Sequence, residues 1–308
     1  TVVLFEQGIL TGDEDYVNRV RNGNISPLSV IIEKLRSREL HPYQTNLDPC
    51  TGSVVVSNVN TGEVLALVTY PSYDNNRLVN NFDSDYYSQL INDPTSPMVN
   101  RPLRQKKAPG STFKIVTALE YIRENPNTYQ NYSYTCNGAF RLGNSKISCY
   151  HGSSHGTVDF TRSFAKSCNS SFANIGMSLD RTAFQETLND LLFNKELPLT
   201  LNYARSSALV SDDTPPAEMM QTSIGQGKTQ ITPMHLNMIT CAIANDGVLM
   251  KPYVIDHVEN DEGTVVKSFK ASEYGRLMTE DESAILKQLM TDVVEEGTAS
   301  KLRGLNYT

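Results

Sequence analysis

The sequence predicts an α+β fold, an antiparallel β-sheet flanked by helices together with an all-helical subdomain, and three observations carry the prediction. Two β-branched runs at 53–59 and 63–68 flank Asn60-Thr61-Gly62, the pattern of a hairpin. Helical periodicity follows in 111–123, 158–179, 183–193, 233–245 and 279–296. Strand character returns between the last two helices, at 248–258 and 264–269, around a turn at 259–263.

Ahead of the hairpin, residues 1–49 are polar and mixed, and 28–40 alone shows an amphipathic stripe. The stretch holds too few apolar residues to predict a core of its own, so the expected division is 1–49 as a pedestal or linker remnant and 50–308 as the main domain. The hairpin ends in the polar loop 71–76, and 83–109, carrying Pro94, Pro97, Pro102 and Pro109, predicts further loop. After the Pro109-Gly110 break the helix at 111–123 carries Phe113, Ile115, Val116, Ala118, Leu119 and Ile122 on nearly every face, the mark of a helix buried mid-domain.

Composition narrows the function classes. Of the 308 residues 39% are apolar and 20% charged, which excludes general disorder. A net charge of -7 disfavours nucleic acid, since phosphate neutralisation needs clustered cations and only 101–107 gathers four. No run approaches the roughly 20 apolar residues that cross a bilayer, and no signal peptide opens the chain, so a soluble protein or soluble piece is expected. Five cysteines (Cys50, Cys136, Cys149, Cys168, Cys241) are too few and scattered for a disulfide scaffold.

The chemistry-bearing pattern is Ser111-Thr112-Phe113-Lys114. Spacing of three on a helix brings both side chains to one face, and a lysine whose charge is disfavoured by burial can take the serine's proton. The start of a buried helix also aims backbone N–H groups at a developing oxyanion. A second copy, Ser163-Phe164-Ala165-Lys166, sits inside a helical stretch and reads as helix surface. Ser167-Cys168-Asn169 offers a hydroxyl and an amide two apart on a short loop, able to relay protons and hold a substrate amide, although a plain polar turn would look the same. Cys136, Cys149, His151 and His155 form a zinc candidate whose spacing fits no standard pattern; a Cys136–Cys149 disulfide and unlinked side chains stay open beside it, with His155 also readable as a hydrogen-bonded loop histidine. His235 and His257 carry no functional signal.

Taken in order, these segments resemble the transpeptidase domain of penicillin-binding proteins, of the monofunctional, class B-like kind, within the serine acyl-transferase and β-lactamase superfamily. The resemblance runs over about 52–308: Thr61-Gly62-Glu63-Val64-Leu65-Ala66 to Pro71-Ser72-Tyr73-Asp74, then Asn100-Arg101-Pro102 through Ala108-Pro109-Gly110 to the Ser111 motif, then His155-Gly156-Thr157-Val158. Ser167-Cys168-Asn169, Ser223-Ile224-Gly225-Gln226-Gly227, Thr232-Pro233, Asn245-Asp246-Gly247 and Glu296-Gly297-Thr298-Ala299 complete it. One departure stands out: the family's K-T-G strand is expected a few residues past Thr298, where the final strands are missing from this sequence. Gly227-Lys228-Thr229, followed by Gln230, does not replace it and reads as a surface loop.

The resemblance implies a D,D-transpeptidase that cross-links peptidoglycan stem peptides through an acyl-serine and is inhibited by β-lactams. In it Ser111 is the nucleophile, Lys114 its base, Ser167 the proton shuttle and Asn169 the holder of substrate backbone and of Lys114. It further implies no cofactor, D-alanyl-D-alanine ends and β-lactams as ligands, an upstream membrane anchor on the extracytoplasmic face of a bacterial membrane, and a glycan-polymerising partner. A penicillin-sensing or scaffold domain without catalysis, and a serine β-lactamase, are the alternatives.

Overall fold

The computed structural model describes residues 1–41, 44 and 51–305, so the 49–50 boundary and Cys50 lie outside the described residues. The chain forms two compact units, one of 1–53 with 68–100 and one of 54–67 with 101–308. Nothing in the composition of 68–100 marks it for that grouping.

In the first unit three short helices, α1 (Val2–Glu6), α2 (Glu14–Arg21) and α3 (Pro27–Arg36), are followed by α4 (Asn76–Val79) and α5 (Ser84–Asn92). Their starts are written in side chains: Asp13, Ser26 and Asp83 cap α2, α3 and α5, accepting from the N–H groups of Tyr16, Ser29 and Tyr86. Leu4, Leu10 and Leu40 are buried together, with Phe5, Ile9, Ile31 and Leu35 packed around them. This corrects the expectation of a coreless N-terminal stretch. The helices α1, of 5 residues, and α2, of 8 mostly polar ones, escaped the sequence reading because they are too short to show a period. The helix α5 likewise corrects the loop expected over 83–109.

The predicted hairpin is β1 (Gly52–Ser57) and β2 (Val64–Tyr70), closed by Gly62 N–H donating to Asn58 O at 2.8 Å. The second unit continues through α6 (Arg101–Arg104), a 3-10 turn Gly110–Phe113 and α7 (Lys114–Glu124). The strands β3 (Ser133–Cys136) and β6 (Gly156–Asp159) pair antiparallel around a second antiparallel pair, β4 (Ala139–Leu142) with β5 (Ser145–Ser148). Four helices follow, α8 (Phe160–Ala165), α9 (Asn169–Ser178), α10 (Arg181–Asp190) and α11 (Pro216–Thr222), then α12 (Pro233–Ala244). Strands β7 (Val248–Met250) and β10 (Glu273–Arg276) pair, as do β8 (His257–Glu259) and β9 (Val265–Ser268), before α13 (Glu280–Glu295). The fold is thus the mixed helix and antiparallel-strand class the sequence predicts, with the described strands distributed over two-stranded sheets.

The core of this unit centres on α7, which buries Val116, Ala118, Leu119 and Ile122 as well as Lys114, Thr117 and Glu120. Aromatic residues from its neighbours, Phe160, Phe172, Phe184 and Phe193, fill the space around it. Burying such rings contributes about 2–3 kcal/mol each by area. Arg123 at the end of α7 ties three elements together: its guanidinium donates to Glu282 of α13 at 3.0 Å, and to Thr187 and Asp190 of α10 at 2.6 and 3.1 Å. A helix held on all sides is a rigid base for what its first turn carries. Among the described residues no helix is long and apolar enough to cross a membrane.

Candidate active site

The break at Pro109-Gly110 works as expected, but Ser111 stands in the 3-10 turn Gly110–Phe113 and the α-helix proper opens at Lys114. The tighter turn still carries the serine and the lysine on one side. Gly110 N–H donates to Gly225 O at 2.8 Å, pinning the turn to the 223–227 loop. Ser111 is exposed to the cleft while Lys114 is buried beneath it.

Lys114 Nζ is the hub. It lies 3.2 Å from Ser111 Oγ, 2.8 Å from Ser167 O, 2.9 Å from Ser167 Oγ and 2.7 Å from Asn169 Oδ1. An ammonium has three N–H donors and cannot serve four acceptors; a neutral amine has two and a lone pair. Two of the four partners, Ser167 O and Asn169 Oδ1, can only accept, while the two hydroxyls can donate. Either form serves three of the four: the ammonium donates to both carbonyls and one hydroxyl, and the amine left on deprotonation keeps both carbonyls and accepts from a serine. Burial lowers the lysine from its ordinary value to about 8, against the opposing pull of Cys168 and Cys149.

Ser167 occupies the left-handed region, φ 51°, unusual for a residue with a side chain. That conformation turns both its carbonyl and its hydroxyl toward Lys114, so the strain is tied to the site. The turn is closed by Ser167 N–H to Phe164 O and Cys168 N–H to Ser163 O, each 2.9 Å. Asn169 begins α9 and bridges Lys114 to β5, its amide donating to Ser148 O at 3.0 Å. All four sequence candidates, Ser111, Lys114, Ser167 and Asn169, are thereby brought together.

The second Ser-x-x-Lys copy is not the helix surface expected of it, because its serine is buried in the core, away from the cleft. Ser163 is buried and donates to Asp159 O at 2.6 Å, while Lys166 reaches Glu296 O. In Gly227-Lys228-Thr229 the lysine pairs on the surface with Glu218 at 2.9 Å and Thr229 is buried.

Ser111, Lys114 and Ser167 line a cleft of ≈ 320 Å³ whose other wall is Ile115, Phe164 and the α13 residues Met290, Val293 and Val294. The α13 wall was not among the sequence candidates; its only signal was the amphipathic period of that helix, which also fits plain core.

The Cys/His group assembles with one exchange. The Sγ atoms of Cys136, Cys149 and Cys168 and a ring nitrogen of His155 lie within 4.8 Å of one another. His151 stands apart, exposed and edge-on to the Tyr150 ring, which corrects its place in the candidate set. Cys168, between the two active-site residues, takes that place. The Cys136 and Cys149 sulfurs stand 3.7 Å apart and are not bonded to each other.

A cleft holding a serine hydroxyl against a buried lysine whose charge is disfavoured by burial defines a serine acyl-transfer centre. The family model "Penicillin binding protein transpeptidase domain" matches residues 52–308, and the chain belongs to that family. It is 27% identical over 289 residues to the peptidoglycan D,D-transpeptidase PbpA of Mycolicibacterium smegmatis, covering 91% of this chain and 58% of that protein. It is 27% identical over 229 residues to the peptidoglycan D,D-transpeptidase MrdA of Escherichia coli, covering 71% of this chain and 36% of that one. Among solved structures, the penicillin G acyl-enzyme complex of penicillin-binding protein A from M. tuberculosis superposes with a TM-score of 0.74 at 27% identity, covering 80% of this chain and 58% of the other. The chain spans about half the length of the curated relatives it matches.

Proposed function

We propose that this chain is the acyl-transfer domain of a peptidoglycan D,D-transpeptidase, and the observation that carries the reading is the fourfold environment of Lys114 Nζ. Ser111 attacks the penultimate D-alanine carbonyl of a stem peptide as Lys114 takes its proton, giving an acyl-serine and expelling terminal D-alanine. Ser167, within 2.9 Å of the same nitrogen, passes that proton to the leaving amine. Asn169 holds Lys114 through Oδ1 and offers its amide to the substrate backbone. The amine of a second stem peptide then resolves the ester. A β-lactam enters the same path and stops at the ester. The relative solved as a penicillin G acyl-enzyme supports that step, and the names of the curated relatives support the substrate class.

Activating water on the acyl-enzyme, as a β-lactamase does, needs a group such as a placed glutamate, and among the described residues no carboxylate lines the cleft. In this reading 50–308 is the transpeptidase domain, 1–49 the pedestal or linker before it, and the parent works on the outer face of a bacterial membrane, anchored upstream and beside a glycan-polymerising protein. The deciding experiment is intact-mass measurement after penicillin exposure. A stable adduct on the wild type that is absent in Ser111→Ala is the expected result. No adduct points to a scaffold, and rapid turnover of a fluorogenic penicillin to a β-lactamase; either sinks the proposal.

A further inference from the structure

We propose that Cys136, Cys149, His155 and Cys168 bind one zinc ion, and that this ion fixes the turn carrying Ser167 and Asn169. Four separate pieces of chain deliver the ligand atoms. Cys136 ends β3 and stands opposite Gly156 in the β3–β6 register, which puts His155 beside it. Cys149 follows β5 and is drawn in by its N–H donating to Gly138 O at 2.9 Å. Cys168 caps α9.

The distances are those of a tetrahedral thiolate site. Two sulfurs each about 2.3 Å from zinc at the tetrahedral angle stand about 3.8 Å apart. The observed separations are 3.7 Å for Cys136–Cys149 and 3.8 Å for Cys149–Cys168, with His155 Nδ1 3.4 Å from the Cys136 sulfur. All three cysteines are buried, at 0%, 3% and 0% exposure, as befits a closed structural site with four protein ligands and no open position.

One hydroxyl meets all three sulfurs. Ser170 Oγ lies against all three sulfurs, 3.0 Å from Cys136 and 3.4 Å from Cys149 and Cys168. The Ser171 N–H at the start of α9 donates to Cys168 Sγ at 3.5 Å, where the helix dipole favours negative charge. At Gly138, φ 88°, a side chain would meet Gly152 O at 2.5 Å, so the tight approach between the two cysteine-bearing loops requires glycine. Packed thiols alone explain the burial of three sulfurs, but they give no reason for an imidazole to converge on the same point. Zinc binding here displaces the thiol protons to solvent and oxidises nothing.

The consequence for catalysis is positional. Cys168 lies between Ser167 and Asn169, so an ion on its sulfur anchors the two groups that grip Lys114 to the β3–β6 and β4–β5 pairs. These four residues act through the turn and touch no substrate.

The test uses the chain expressed with zinc in the medium and purified reduced, without chelator or metal-affinity tag. About one zinc per chain is expected, and cobalt exchanged into the site should show the intense visible bands of tetrahedral cobalt with thiolate charge transfer. Cys149→Ser should lose the metal, Cys149→His should keep it, and His151→Ala and Cys241→Ser should leave it unchanged. Because Cys149→Ser can fail to fold, the wild-type cobalt spectrum stands as an independent reading. Protein that stays metal-free after dialysis against zinc, an octahedral cobalt spectrum, or a Cys136–Cys149 disulfide peptide overturns the site. For the positioning role, zinc-depleted protein that is still folded by circular dichroism should be acylated by penicillin about tenfold more slowly and recover on adding zinc, with Cys149→His matching the wild type. An unchanged rate after depletion overturns that role.

Discussion

Asn169 Oδ1 sits 2.7 Å from Lys114 Nζ, the shortest of the four contacts around that nitrogen. A neutral amide at this distance accepts a hydrogen bond without adding charge, so it orients the amine and leaves the effect of burial in control of its proton. The variant Asn169→Asp replaces it with an anion of almost the same shape. An opposite charge this close stabilises the ammonium, typically by about 1–3 pKa units. Wild-type acylation by penicillin should rise as pH increases through about 8, where Lys114 loses its proton. In Asn169→Asp the same rise should shift upward by at least about one unit. Intact-mass kinetics across pH 6 to about 10 gives both midpoints; coincident midpoints would show that Lys114 is not the titrating base.

Lys114→Arg keeps length and charge but removes the ability to take a proton, since a guanidinium does not deprotonate in a protein. Acylation should fall by about 10²–10⁴-fold, the usual contribution of a positioned base, and should no longer respond to pH near 8. The rate of ester formation at Ser111, followed with a fluorescent penicillin, is the measurement. A loss of less than tenfold would assign the base elsewhere.

Much of this arrangement was legible in the sequence for a physical reason: catalysis by a serine and a lysine one helical turn apart is a local property, and Ser111 and Lys114 carry it within four residues. The helix behind them was legible too, because a segment apolar on every face, as around Val116 and Leu119, has to be buried. Ser167 and Asn169 gave a weaker signal, since their meeting with Lys114 spans 53 and 55 residues of chain and depends on a left-handed turn at a serine. The Cys/His set was read by closeness in sequence, which selected His151; the turn between α8 and α9 instead brings Cys168 in, and the register of β3 with β6 sets His155 beside Cys136, neither of which spacing can give. The small N-terminal core was missed because Leu4, Leu10 and Leu40 come from separate short pieces of chain, and only 28–40 shows a stripe.

Gly225 sits where the 223–227 loop meets the turn that carries Ser111. Its φ is 69°, and a β-carbon there would lie 2.2 Å from Gly110 O and 2.6 Å from Phe113 Cβ. Backbone cannot move aside as a flexible side chain can. Gly225→Ala should therefore cost about 2–4 kcal/mol through φ strain and overpacking together. The displaced Gly110–Phe113 turn should also slow acylation at Ser111. Urea unfolding with penicillin labelling of the same sample checks both, and a Gly225→Ala protein of wild-type stability would contradict the packing.

His235 offers a prediction about stability alone. It is fully buried in α12, hydrogen-bonded through Nε2 to Leu191 O at 2.7 Å and packed against Phe193, with no partner for Nδ1 among the described residues. The carbonyl partner assigns the proton to Nε2 and leaves Nδ1 as a bare acceptor in an apolar site. Burial lowers its pKa from the ordinary 6.5 to about 4. The unfolded chain therefore binds a proton that the folded chain refuses between those two values, and stability falls as pH drops through that window. The contribution is complete above about pH 6.5 and amounts to about 3 kcal/mol when lost. His235→Gln, which keeps a donor toward Leu191 O but cannot be protonated, should be less stable than wild type at pH 7 and should lose less between pH 6.5 and 4. Urea midpoints at the two pH values measure the difference, and equal pH sensitivity in the two proteins would mean that acid unfolding is driven by other groups.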